Sequence, residues 1–590
     1  MRPQPVAQLL RRLWSHVIPR RRRQFGLLLV LMTLSSFAEI LSIGAVLPFL
    51  AILTDPTRVF AHPSAQPIVQ ILGLTDPRQL LLPLTITFGF AALIAGAMRL
   101  ILLWASTRLS YATGADLSIS IYRRTLYQPY SVHVARNSSE IINGISSKSS
   151  AAMQVISMVL YLIGSSVTLI AILFALLTLD PFIALAAFGG FGLIYAFIIQ
   201  LTRKGLLINS QTVARESTNV IKSLQEGLGG IRDVLIDGSQ ATYCQIYRDA
   251  DLPLRRAQGN SSFISSSPRY GVEALGLLLI ASLAFALAQQ DEGIAKAIPV
   301  LGALALGAQR LLPVLQQAYS SWSGIQSSQA SLQDALDLLD QPLPDHATQP
   351  AVQQLSFGQN IKLKQLSFRY SSQTPWVLNN LDLTIAKGSR VGFIGPTGSG
   401  KSTLLDIIMG LLQPNSGMIQ IDGQPVTQGN CRAWQAHIAH VPQMIFLADS
   451  SIEENIAFGV PKALIDHERV RQAARQAQIA DLVETWPKQY QSFVGERGIR
   501  LSGGQRQRIG IARALYKQAD VIIFDEATSA LDNQTEEAVM QAIEGLSTEL
   551  TVLIIAHRLT TLKNCTQIVE LGNLGIMRIG NYQEIVAQRG

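Results

Sequence analysis

The chain has 590 residues, 48% of them hydrophobic and only 15% charged, with a net charge of +8. A soluble domain carries roughly 25% charged residues, so the length allows two or more domains and the composition does not fit a wholly soluble chain. The basic excess lies beside apolar stretches, as the positive-inside rule places it, which argues against nucleic acid as a partner. Cys244, Cys431 and Cys565 are scattered and show neither metal-ligand spacing nor a disulfide framework.

In chain order, Arg11, Arg12 and Arg20 to Arg23 precede an apolar run over 25–53. That run is too long for a signal-peptide core and reads as a first membrane helix that starts inside. Five further stretches, 80–107, 151–178, 182–201, 271–289 and 297–323, are each long enough to span a bilayer at about 20 residues. Only Asp180-Pro181 separates the third from the fourth, which predicts a tight hairpin. The connecting segments alternate in charge. The segment 108–150 holds Arg108, Arg123, Arg124, Arg136 and Lys148, and 202–260 is similarly basic, whereas 54–79 and 290–296 are nearly balanced. The basic segments share a side with the N-terminus, and that side is cytoplasmic. Six spans return the C-terminal half to the same side. The stretches 108–150 and 202–270 are too long for plain loops and are expected to be helical extensions with turns near Tyr127 to Tyr130 and Gly227 to Gly230.

Ionisable residues inside spans are rare and by default functional. Glu39 lies in span one, Arg99 in span two, Arg269 at the entrance of span five and Arg310 in span six. Each arginine can either meet substrate or pair with Glu39 or Glu273, the latter one helical turn from Arg269. Arginines converging on a cavity suit a di-anionic group such as pyrophosphate, because guanidinium binds phosphate bidentately and stays charged. Residues 327–340 read as helix, and 341–350 is polar and proline-rich. The expected organisation is therefore a transmembrane domain over 1–326, a linker over 327–354 and a second domain over 355–590.

The second domain carries an ordered set of nucleotide motifs. Strand Arg390 to Ile394 leads into Gly395, Pro396, Thr397, Gly398, Ser399, Gly400, Lys401, Ser402 and Thr403, which open a helix. This is the strand–loop–helix context of a P-loop. Its backbone N–H groups cradle phosphates, Lys401 reaches the β/γ-phosphates and Ser402 ligates Mg²⁺. The apolar strand Val521 to Phe524 ends in Asp525, a second Mg²⁺ ligand, and Glu526, placed to polarise the attacking water. Gln443 and His557 complete the set; His557 closes another apolar strand, Thr551 to Ala556. Tyr370, at the end of an alternating run, is either a strand-edge packing residue or an adenine-stacking one.

Taken together, these motifs resemble the nucleotide-binding domain of ATP-binding cassette (ABC) transporters over about 355–590. The resemblance implies that Leu501, Ser502, Gly503, Gly504 and Gln505 form the signature loop, which contacts ATP held by a partner subunit's P-loop. It also implies that Gln443 contacts the γ-phosphate and Mg²⁺, that Asp532 belongs to the D-loop, that Tyr370 stacks on adenine, and that Val494 to Gly498 couples to the membrane helices. One signature and one P-loop per chain imply a homodimer with two hydrolytic sites. The expected fold is multi-domain: an all-α, six-helix exporter-type membrane domain, then an α/β P-loop NTPase domain, in the cytoplasmic membrane with the N-terminus and the nucleotide-binding domain cytosolic. The strings Ser36 to Glu39, Leu47 to Phe49, Ser267 to Tyr270 and Arg310 to Pro313 also resemble flippases of lipid-linked oligosaccharides in bacterial N-glycosylation. That subfamily implies ATP-driven transfer of a polyprenyl-pyrophosphate-linked glycan, with Pro67 to Leu74 as a small external helix. Export of another lipid, a drug or a peptide, and an ATP-gated channel, stay open.

Overall fold

The computed structural model describes residues 4–54, 57, 60, 70, 73–179, 181–288, 311–344, 347, 355–526, 531–545, 549–556 and 562–587. It divides into two compact units, one of Met1–Gln128 with Val132–Leu343, the other of Pro129–Ser131 with Pro344–Gly590.

The first unit is helical. Its long elements are Pro19–Thr54, Leu81–Leu126, Ser149–Leu179, Pro181–Gly229, Gln240–Ser266 and Pro268–Ala288, and 311–327 is also helical. Among the described residues, four helices are long and apolar enough to cross a membrane. The expected sixth span is described only from 311, and most of Pro67 to Leu74 lies outside the described residues. One helix stops at Leu179 and the next starts at Pro181, as the Asp180-Pro181 break predicted. Leu81–Leu126 has 46 residues and Pro181–Gly229 has 49. At 1.5 Å per residue each is about 70 Å long, more than twice the roughly 30 Å hydrocarbon core of a bilayer. The polar segments that follow spans two and four are therefore continuations of the membrane helices. Small residues let these helices approach closely: a Cβ built on Gly114 would fall 2.6 Å from Met153 Cγ. The short helix Val6–His16 buries Leu9 and Leu13 against Leu117, Ile121, Leu332 and Leu336. Arg12, on another face, bonds Asp337 at 2.8 Å and Asp340 at 2.5 Å.

The second unit holds two sheets. Strands β1 (Asn360–Phe368), β2 (Leu378–Ala386), β4 (Ser416–Ile421) and β5 (Gln424–Pro425) form an antiparallel sheet in the order β2-β1-β4-β5. Strands β3 (Arg390–Ile394), β6 (Ile438–Val441), β7 (Val521–Asp525), β8 (Thr551–Ile555), β9 (Gln567–Leu571) and β10 (Ile576–Gly580) form the other, ordered β10-β9-β3-β8-β7-β6. Its central pairs are parallel, with Phe393 opposite Ile555, Asp525 opposite Ile555 and Val441 opposite Phe524. These strands are continuous apolar runs because both faces are covered. In β7, Val521 and Ile523 enter one core, and Ile522 and Phe524 the other, as the two-residue period requires. Each fully buried side chain of this kind stabilises the fold by about 1.5–3 kcal/mol. The sheet is thus a rigid plate, and the parallel register brings the C-terminal ends of four adjacent strands to one edge.

Candidate functional site: a nucleotide site on the edge of the parallel sheet

That edge is where ligands bind in open α/β sheets. β3 delivers Gly395 to Gly400, β7 delivers Asp525 and Glu526, and β6 ends two residues before Gln443. His557 follows β8 in sequence but lies outside the described residues.

The loop after β3 turns sharply into the helix Lys401–Ile408. Gly395 has φ +148°, and a Cβ there would fall 2.3 Å from the Leu571 carbonyl oxygen, so only glycine fits. Gly400 caps the helix at φ +89°, and its following N–H groups open toward the loop with the positive end of the helix dipole. Lys401 Nζ donates to the carbonyls of Gly395, at 2.8 Å, and Pro396, at 3.0 Å, which holds the ammonium over the loop. Tyr370 is largely exposed, and its hydroxyl lies 3.1 Å from Thr403 Oγ1.

The carboxylates are arranged under stress. Burial, then the neighbouring Glu526, push the Asp525 carboxyl up, and a bond from Ser402 and the Lys401 charge partly oppose this. Asp406, on the P-loop helix, is pushed up to about 6 by burial and then by Asp525. A hydroxyl and a carboxylate in a pocket with excess negative charge form the oxygen donor set that suits Mg²⁺. Glu526 sits at φ +51°, a sparsely populated conformation for a non-glycine residue. Its backbone N–H bonds the Ile555 carbonyl at 3.2 Å, and its carboxylate accepts from Gln443 Nε2 at 2.7 Å. Local strain over-determined by neighbours is typical of a functional residue.

Ser502 and Gln505 form a reciprocal capping box at the start of helix Gly503–Lys517. Ser502 Oγ accepts from the Gln505 N–H at 3.2 Å, and Gln505 Oε1 accepts from the Ser502 N–H at 2.8 Å. The cap leaves Gly503 and Gly504 at a helix N-terminus suited to an anion. Asp532 caps helix Asn533–Glu544, accepting from Thr535 N at 3.0 Å and Thr535 Oγ1 at 2.7 Å. These bonds hold its carboxyl below the usual range.

Sequence reasoning missed several residues that hold this site. Asp406 is one. Asn455 is fully buried and clasps Ala448 through both its N–H and its carbonyl. Arg513 donates to the Asn455 carbonyl at 2.9 Å and lies over the Phe458 ring, and burial lowers it to about 10. Arg506 donates to the Leu501 carbonyl at 2.9 Å, just ahead of the Ser502 cap. The Arg513–Asn455 bond joins residues 58 positions apart and Asp406 is coupled to the distant Asp525, so no local motif marks those pairings.

Residues 25–292 match the family description of the ABC transporter transmembrane region, and residues 378–529 match that of the ABC transporter. An ATP-dependent lipid A-core flippase of Alkalilimnicola ehrlichii is 30% identical over 455 residues, covering 76% of this chain and 74% of that protein. The chain belongs to the ABC transporter family. It is an ABC transporter of exporter type, with fused membrane and ATP-binding domains, and it couples ATP hydrolysis to transport. A heterocyst differentiation ATP-binding protein, HepA, of Nostoc is 35% identical over 281 residues, 48% of the transporter and 46% of HepA. The solved structure of a bacterial Atm1-family ABC exporter with ATP bound shares the fold, with a TM-score of 0.75 at 22% identity over 93% of this transporter and 96% of that chain.

In the transporter's membrane unit, Arg99 Nη2 lies 2.6 Å from Glu39 Oε1, joining the first and second long helices. Arg269 Nε bonds Glu273 at 2.8 Å, the i,i+4 pair its spacing allowed. Arg310 lies outside the described residues.

Proposed function

We propose that the transporter works as a homodimer in the cytoplasmic membrane and moves a polyprenyl-pyrophosphate-linked oligosaccharide, or a related phosphorylated glycolipid, outward. The observation that carries this reading is the placement of Arg99 and Arg269 in apolar helices, each paired with only a singly charged carboxylate. A pyrophosphate offers twice the charge and bidentate geometry, so exchange of carboxylate for pyrophosphate is favourable for a guanidinium. The lipid A-core flippases similar to this chain are consistent with a lipid cargo, and they favour a second reading in which the glycolipid is of lipid A-core type.

The ATP cycle follows from the sheet edge. The P-loop amides and Lys401 hold the β/γ-phosphates. Ser402 and Asp525 would hold Mg²⁺, which would supply charge neutralisation at the phosphates. Glu526, aimed by Gln443, accepts the proton of the attacking water. His557 contacts the γ-phosphate. Tyr370 stacks on adenine, and the partner's capped signature loop closes on the nucleotide from the other side, with Asp532 beside it.

The test is flipping of fluorescent polyprenyl-pyrophosphate oligosaccharide in proteoliposomes, beside fluorescent lipid A-core. An Arg269→Ala/Arg310→Ala variant should lose pyrophosphate-lipid flipping while retaining ATP binding. Normal flipping by that variant refutes the pyrophosphate role, and wild-type transport of lipid A-core alone selects the second reading.

A further inference from the structure

The membrane unit contains a cavity of about 600 Å³, inside the roughly 300–1,000 Å³ range of small-molecule sites. Half of its lining residues are serines, including Ser150, Ser217, Ser261, Ser265, Ser328 and Ser331. They come from the start of helix Ser149–Leu179, the far half of Pro181–Gly229, the end of Gln240–Ser266, and the stretch 320–331 that runs from the helix 311–327 into Gln329–Leu339. A π-helical turn, Gly144–Lys148, leads into the first of these helices. Such turns are frequent at functional sites.

One feature separates this cavity from ordinary serine packing between helices. Ser261, on its wall, has a buried hydroxyl with no hydrogen-bond partner among the described residues. Ser331, on the same lining, is more than nine-tenths buried. Buried polar atoms are normally satisfied, so an unsatisfied hydroxyl on the wall calls for a ligand.

The charges decide which ligand. Lys148 Nζ is neutralised by Asp334 at 2.6 Å, and Arg255 Nε by Asp251 at 3.1 Å. Both cations at the cavity are therefore compensated, and an anion would gain little there. Hydroxyls with the amides of Gln154 and Gln258 both donate and accept, which matches a neutral polyhydroxylated group.

We infer that this cavity binds the neutral sugar portion of the transported glycolipid, while the membrane arginines meet its phosphates. This rests on the glycolipid reading above. It divides recognition in two: arginines for phosphate, serines for glycan.

The experiment uses the full-length protein in proteoliposomes and reads stimulation of ATP hydrolysis by two probes, a short-chain polyprenyl pyrophosphate bearing a disaccharide and the same lipid without sugar. The ratio of their half-maximal concentrations is insensitive to how much protein is active. The wild type should prefer the glycosylated lipid by roughly tenfold, the worth of about one to two net hydrogen bonds. Ser261→Ala/Ser331→Ala should bring the ratio close to one, and Ser265→Leu, which fills the cavity instead of removing donors, should do the same. An unchanged ratio in both variants overturns the inference. So does a wild type that responds equally to both lipids, which leaves the pyrophosphate reading standing. A wild type that responds to neither lipid overturns the polyprenyl-pyrophosphate reading, and this inference with it.

Discussion

Asp406→Asn is expected to stabilise the nucleotide-free transporter. Asp406 sits on the P-loop helix, and burial, with Asp525 second, raises its carboxyl from 3.8 to about 6. The native state thus binds this proton more tightly than the unfolded chain does. Its contribution favours the fold at acid pH, is lost as pH rises from about 4 to about 6, and is a constant cost above that. One pKa unit is worth 1.36 kcal/mol, so the cost at pH 7.5 is at most about 3 kcal/mol. Asparagine keeps the shape and removes the charge. For a domain of this size, about 3 kcal/mol raises Tm by roughly 5–10 °C. Thermal unfolding of wild type and variant in detergent, without nucleotide, at pH 4.5, 6 and 7.5 reads the effect. The gain should be largest at pH 7.5 and fall to about a third at pH 4.5, where the wild-type carboxyl is already protonated. A gain independent of pH, or a loss of stability at pH 7.5, refutes the argument, because either would mean that the ionised carboxylate is compensated in the fold.

Three further outcomes follow from the same geometry. Glu526→Gln keeps the Gln443 contact region but removes the base, so steady-state ATP hydrolysis should fall by about 10²–10⁴ while binding of a fluorescent nucleotide analogue persists; retained hydrolysis removes Glu526 from that role. Gly395→Ala places a methyl 2.3 Å from the Leu571 carbonyl at φ +148°, so a loss of about 2–4 kcal/mol and failure to bind nucleotide are expected, read by thermal unfolding and nucleotide titration; wild-type behaviour contradicts the packing of the loop against β9. Arg99→Met and Glu39→Leu each break the 2.6 Å intramembrane pair, whereas the double substitution removes both charges; the double variant should be closer to wild type in Tm than either single one, and additive losses would show that the two residues do not act as a pair.

Much of the engine was legible because P-loop chemistry is local. Gly395 to Ser402 are contiguous, and the strand before them and the helix after them lie in the same short window. The apolar runs at 521–524 and 551–556 likewise read as buried strands, and both form. The antiparallel sheet was largely illegible beyond its first strand. Its partners are set by register across distant segments, such as Leu363 opposite Leu383 and Ile419, and nothing local encodes that pairing. Asn455 and Arg513 were missed for the same reason, since their bond joins residues 58 positions apart.

The membrane half divides in the same way. Apolar length and flanking arginines predicted membrane-spanning segments and a side for the start of the chain, because transfer into hydrocarbon is a sum over local residues; four helices among the described residues are long and apolar enough to span. Spacing alone also determined that Arg269 and Glu273 can pair, since one helical turn brings them together. Only the tertiary structure decided that Arg99 meets Glu39 sixty residues away, that Asp406 is coupled to Asp525, and that serines from several helices line one cavity. Those facts depend on how helices and strands pack. Packing is a property of the whole chain, whereas motif and hydropathy are properties of a window.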